Sequence, residues 1–444
     1  MSNIFAKYYI RYSFVIGFFI YWILYIFQID RVTLASLGSL FCFVTSGLII
    51  SHFCDINEEA YFSKGRLSLY IILYAILIVC TFWYISYYYE GDTYIFSKVD
   101  AFKYEKHSLK MASLPLKDAF KYISRVWRYG DWGAPFMMST ILRIIPSKVF
   151  LNFVYILFGS IGSIYLFCLG RFFMDKKWAF IMSFSFYSSS FALYFHGTFL
   201  KESFFMILVV GMIYHFYKFI STNFLLHIII FLLYSISIIY FRAAVVFFFW
   251  AAILIHFLFS NKRKITSIIV IISAIIIMML LSTYIIEEYN RYTLEGDYDR
   301  VRIYGFTNET IGFGYFVNWV SSLFGPFPSI ISEKSHRVVL YSSGLLLKVF
   351  LSFPMWLGIF KAFKKKESFL YPIIFFTLIE TFILGFLNKS FELRLGLPHY
   401  QAFFLISFWY LSQQKDITRL RIYDKFYMVF SIAIVIFWNI LRTK

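Results

Sequence analysis

The chain has 444 residues, of which 60% are hydrophobic, 24% aromatic and only 15% charged. Soluble domains run near half apolar and about a quarter charged, so this balance excludes a large soluble core and makes lipid the solvent for most of the chain. The net charge of +18 would suggest nucleic acid in a soluble protein; here the placement of the charges matters instead, and no nucleic-acid partner is expected.

A bilayer-spanning helix needs about 20 apolar residues. Runs of that kind predict spans at 13–27, 32–51, 67–89, 149–169, 178–195, 203–220, 224–240, 243–259, 265–286, 338–360, 369–388, 397–412 and 428–441. The fold class is therefore an all-α polytopic membrane protein of about 12–13 spans, read as one transmembrane domain over 1–444. The first run lacks a small-residue cleavage site and reads as a span rather than a signal peptide. Cys42, Cys54, Cys80 and Cys168 show neither metal-ligand spacing nor a disulfide framework.

With the N-terminus in the cytoplasm, most short-loop lysines and arginines fall inside, including NKRK at 261–264 and KAFKKKES at 361–368. That orientation sends two long loops, 90–148 and 287–337, to the outer face. Connections of that length are more often functional than economical.

Candidate residues follow in chain order. Asp92, in YYYEGDTYIF, is a carboxylate just beyond a span end, read either as a base or as part of a Gly-Asp turn. The segment 115–135 sets Ala119, Phe120, Ile123, Val126 and Trp127 at helical spacing against Lys117, Lys121, Arg125 and Arg128. This predicts an amphipathic helix on the outer membrane surface with a basic face toward headgroups. Lys201 and Glu202 open a predicted helix, where capping competes with function, and His196 lies close by. Arg242 is the only charge between two apolar runs; it is either the polar tip of a helical hairpin or an anion ligand.

In the second loop, Arg300, Arg302, His336 and Arg337 offer donors to phosphate or sugar. The alternating Glu295, Asp297 and Asp299 lack EF-hand spacing, so no metal is expected. The Gly/aromatic run 312–328 has the composition of an interfacial or re-entrant helix. Glu392, Arg394 and His399 stand at the mouth of a late span, where Arg394 suits a phosphate and His399 a base. Glu380 lies inside the span 369–388; an intramembrane carboxylate is a functional candidate by default, with a structural pair to a His or Lys of a neighbouring helix as the alternative.

With two large outer loops, arginines in and beside them and a Tyr/Phe/Ile-rich composition, the whole chain resembles the Wzy-type O-antigen polymerases of Gram-negative inner membranes. The family's pattern of an arginine, ten residues and a glycine in each large loop is not evident here, so its arginines are not carried over. The resemblance implies polymerisation of undecaprenyl-diphosphate-linked repeat units at the periplasmic face, with the bilayer and that lipid-linked glycan as partners and a chain-length regulator as a candidate partner. The mechanism expected on these residues uses no cofactor. Arg242 and Arg394 neutralise the diphosphate, helped by Lys201, Arg128, Arg300 and Arg337, and Asp92, Glu202 or His399 takes the acceptor's proton. The alternatives are a GT-C type glycosyltransferase, whose acidic loop usually follows the first span; a repeat-unit flippase, which should have short loops and a charged central cavity; and an O-antigen ligase, with one large late loop.

Overall fold

A computed structural model describes residues 4–26, 33–92, 100–127, 129–259, 311–331, 336–386, 393–414 and 421–442. The predicted span 265–286, most of the loop after it, and the candidates Arg128, Arg300, Arg302, Glu295, Asp297, Asp299 and Glu392 lie outside the described residues.

The described chain is a helical bundle. Its helices are α1 (Ile4–Ile26), α2 (Leu34–Asp55), α3 (Lys64–Glu90), α4 (Asp100–Ala112), α5 (Leu116–Val126), α6 (Gly133–Ile144), α7 (Lys148–Gly170) and α8 (Lys176–Tyr187). They continue with α9 (Ser190–Gly197), α10 (Glu202–Thr222), α11 (Leu225–Phe259), α12 (Ile311–Phe324), α13 (His336–Lys365), α14 (Tyr371–Phe386), α15 (Leu393–Ser412) and α16 (Ile422–Arg442). Nine helices among the described residues are long and apolar enough to cross a membrane. Phe, Ile, Val and Tyr are mediocre helix formers in water, but in lipid every backbone polar group must be satisfied within its own segment, and that decides the conformation.

Polar residues set the ends. Side chains of Thr33, Ser63, Ser147 and Asp175 accept backbone N–H bonds at the starts of α2, α3, α7 and α8. Gly91 closes α3 in the left-handed region at φ 67°. α13 is the most thoroughly buried span and packs against α2, α9 and α15, so the core runs along it.

Helix α11 is two arms. Arg242 has extended backbone (φ −169°, ψ 91°) in the middle of the segment. Phe231 on the first arm meets Trp250 on the second, with ring centroids 5.1 Å apart. In a straight helix those residues would stand about 28 Å apart. The arms therefore fold back on each other as a helical hairpin with Arg242 at its tip, as the two predicted spans at 224–240 and 243–259 require.

The predicted span 178–195 is not one continuous helix. It divides at Ser188 and Ser189 into α8 and α9, and the connecting turn is buried. Neighbouring groups take up the polar atoms around the break: Ser189 Oγ donates to the Phe186 carbonyl at 2.5 Å, and the Gly344 N–H donates to Ser190 Oγ at 2.8 Å. Non-helical backbone at membrane depth is tolerated only when protein covers it. The same holds after α12, where residues 325–331 run irregular and buried. There the Ile330 N–H donates to Asn439 Oδ1 at 2.8 Å, and Asn439 Nδ2 donates to the Pro328 carbonyl at 3.0 Å. The run 312–328, read from its composition as an interfacial or re-entrant helix, thus divides into α12 and this irregular segment.

The first long loop is built of α4, α5 and α6. Helix α5 is amphipathic as predicted, but its Ala119 and Ile123 are buried on Met111 of α4. Phe120 packs on Phe136 of α6, with centroids 4.8 Å apart. Its apolar side thus serves a small core within the loop, because α4 and α6 supply the partner that an isolated surface helix would have to find in lipid.

Candidate functional site

The end of the bundle that carries the loop helices α4–α6 gathers buried and largely buried charges from several elements. Asp131 ends a short turn between α5 and α6. Lys201 precedes α10, Glu202 begins it, and Arg242 caps the α11 hairpin. Lys201 pairs with the Asp131 carboxylate, and its Nζ donates to the Phe241 carbonyl at 3.0 Å. Arg242 Nη2 stands 3.7 Å from Glu202 Oε1, and its guanidinium lies 5.6 Å from the centre of the Phe205 ring. Glu202 is 0% exposed.

Local structure explains the gathering. The Phe241 ring lies on the first residue of α6, where a Cβ in place of the Gly133 hydrogen would fall 2.4 Å from it. That close approach holds the hairpin tip against the loop helices and brings Asp131 to Lys201. The link between α9 and α10 is buried, and its Phe199 has φ 55°, a left-handed conformation that a bulky residue adopts at a cost of about 1–3 kcal/mol. Glu202 was expected at the membrane surface, where an acidic residue caps a helix. Instead it is buried, because this link tucks the start of α10 beneath the hairpin tip and α6.

A second buried set lies beside the first. His399 Nδ1 of α15 is 3.6 Å from Glu380 Oε2 of α14, and both side chains are buried. Arg242 is within electrostatic reach of Glu380, which ties the two sets together. Lys348 of α13, 1% exposed, donates to the Gly325 carbonyl and lies 4.5 and 4.4 Å from the ring centres of Tyr400 and Phe403.

Asp92 and Arg337 stand apart from these sets. Asp92 follows the α3 cap, and its carbonyl accepts from Ser86 Oγ at 2.7 Å, so the Gly-Asp stretch acts as a helix end. Arg337 opens α13 and is exposed, beside His336, whose ring stacks on Tyr89 with centroids 3.8 Å apart. Arg394 lies in the first turn of α15. Of the candidates, Lys201, Glu202, Arg242 and His399 are thus brought into the two sets, together with Glu380.

Two members were not singled out in the sequence. Lys348 interrupts the apolar run GLLLKVFLSF, and a lone intramembrane charge is itself a signal. Asp131 sits in RYGDWGAP with nothing to mark it, since its partner is 70 residues away.

Chemically, the first set offers two cations in a low-dielectric environment and a carboxylate whose oxygens accept no hydrogen bond from the described residues. Cations held in place there stabilise developing negative charge without having to reorganise. No family model, curated protein or solved structure matches the chain.

Proposed function

We propose that the protein is an O-antigen polymerase of the bacterial inner membrane, with the N-terminus in the cytoplasm and the Lys201–Arg242 site facing the periplasm. The observation that carries this reading is the pair of largely buried cations beside Glu202, whose oxygens accept no hydrogen bond from the described residues, at the end of the bundle where the loop helices α4–α6 lie. A polyprenyl diphosphate reaches such a site from the bilayer with its tail between helices, and a polar acceptor reaches it from the loop side.

In the proposed reaction an acceptor hydroxyl oxygen attacks the anomeric carbon of the donor glycan. The bond from that carbon to the diphosphate oxygen breaks, and its electron pair leaves with the diphosphate. Arg242, through its fork of donors, and Lys201 stabilise the leaving charge. Glu202 takes the hydroxyl proton.

One observation favours a second reading, a repeat-unit flippase. Lys348, Glu380 and His399 are ionisable groups inside the bundle, as a transport pathway would have.

A lipopolysaccharide gel from the native host with the gene deleted, then complemented, separates the two. Polymerase function gives a core bearing a single repeat unit in place of the ladder. Loss of every repeat unit on an intact core favours the flippase, and an unchanged ladder overturns both.

A further inference from the structure

Beside the Arg242–Glu202 contact lies a group of buried polar atoms that no described residue satisfies. Asn152 and Tyr155, both 0% exposed, stand three residues apart and so share one face of α7. Gly159 continues that face, and a Cβ there would fall 2.5 Å from His196 Nε2 of α9. Helix α10 packs along α7 and begins with Glu202 and Ser203. Both amide atoms of Asn152, the Tyr155 hydroxyl, both ring nitrogens of His196, both Glu202 oxygens and Ser203 Oγ are buried without a hydrogen-bond partner among the described residues.

Buried polar groups are normally paired, and each one left unpaired costs stability. A group of them from three helices, next to a proposed anion clamp, has the character of a site that is completed by its ligand. Amide and hydroxyl groups both donate and accept, which suits a neutral polyol. The Glu202 carboxylate disfavours a second anion, and a lipid tail has no use for any of these atoms. Aromatic rings flank the group: Phe199 lies edge-on to Tyr155 with centroids 6.0 Å apart. Asn152 is four residues into α7, about 6 Å below its start, a depth within reach of a sugar linked to a diphosphate at the hairpin tip.

We infer that Asn152, Tyr155, Glu202, Ser203 and His196 form a hydroxyl-binding subsite for the sugar ring next to the diphosphate. It rests on the polymerase reading above and assigns the glycan side of that site.

The test measures binding to the purified full chain in nanodiscs by native mass spectrometry, with two probes. One is the undecaprenyl-diphosphate-linked repeat unit extracted from the deletion host; the other is undecaprenyl diphosphate alone. Asn152→Leu and Tyr155→Phe should each weaken the glycan-bearing lipid about tenfold, the worth of one good hydrogen bond, and leave the bare lipid unchanged. The same variants should hold or raise the thermal midpoint, because each removes an unpaired buried polar group. Unchanged glycan-lipid binding in both variants overturns the subsite, and a lowered midpoint beside it assigns these atoms to a structural water network. Wild-type protein that binds the two lipids equally, or neither, also overturns it. Asn152-dependent glycan binding in a protein whose deletion leaves the ladder intact keeps the subsite and removes the polymerase reading.

Discussion

Arg242 and Lys201 are held differently, and substitutions at the two positions should read out differently. Arg242 contacts Glu202 at 3.7 Å, and in the proposed reaction its planar fork of donors receives the diphosphate. Arg242→Ala should lower the rate of glycan elongation in proteoliposomes by about 100-fold or more, while the protein still inserts. Arg242→Lys should keep part of the rate, since charge remains and the planar fork is lost. Full activity in the alanine variant removes the diphosphate clamp. Lys201, by contrast, is committed to Asp131 and to the Phe241 carbonyl. Asp131→Asn leaves a buried ammonium without its counter-charge and should cost about 3–5 kcal/mol of stability. Thermal unfolding in detergent checks this, and the double variant Asp131→Asn with Lys201→Met should recover part of the loss. Arg242 was legible in the sequence because it is a lone charge between two apolar runs. The burial of Glu202 was not, because it depends on a strained turn at Phe199 and on helices far away in the chain.

Among the elements, the contact of α7 with α9 and the loop helices α4–α6 carry the sharpest consequences. His196 lies directly on Gly159, so Gly159→Ala must push the ring aside at a cost of about 1–3 kcal/mol, and His196→Ala should relieve it. A thermal midpoint unchanged by Gly159→Ala would mean that the helices separate more easily than their packing implies. In α4, His107 Nδ1 is 2.7 Å from the Tyr122 hydroxyl. Burial, and then Lys106, Lys110 and Lys103, lower its pKa below the usual histidine value. The folded loop therefore binds that proton less readily than the unfolded chain does. The contribution is intact above the ordinary histidine pKa of about 6.5 and is lost as pH falls below it. Because the His107 ring meets Trp127 edge-on with centroids 5.7 Å apart, indole fluorescence should report the loosening, and His107→Phe should flatten that pH dependence. Amphipathic spacing revealed α5, but not that its apolar side would be taken up by α4 and α6. Likewise, the run 178–195 read as one span, and only the packing of α2 and α13 around residues 188–190 makes a break there favourable.

On the scale of the whole molecule, the ends of the bundle differ. At the end away from the long loops, Asp55 gathers Lys7 and Arg11, and Arg421 binds Asp424 and the Tyr410 hydroxyl, each at 2.8 Å. Basic residues anchored there fit a cytoplasmic face. In a cysteine-free background, a membrane-impermeant maleimide should label Ser113→Cys in intact cells and Thr222→Cys only after permeabilisation. The reverse pattern would turn the Lys201–Arg242 site to the cytoplasm. Span positions were largely readable from run length, since lipid imposes helix on any sufficiently apolar stretch. The site was readable only in fragments, because its members converge from the turn between α5 and α6 and from α10, α11, α13, α14 and α15, and one sequence does not state which spans are neighbours.

The break at Arg242 also bears on how the chain enters the membrane. Each arm of the hairpin is about 25 Å long, close to one bilayer crossing, whereas an unbroken helix over Leu225–Phe259 would reach about 52 Å and could cross a hydrocarbon layer of about 30 Å only once. A sequence change that straightened it would remove one crossing, and every later segment would be inserted upside down. Glu380 and His399 would then emerge with the opposite handedness to Glu202. The break that presents Arg242 to the proposed diphosphate site thus also sets the parity of everything translated after it.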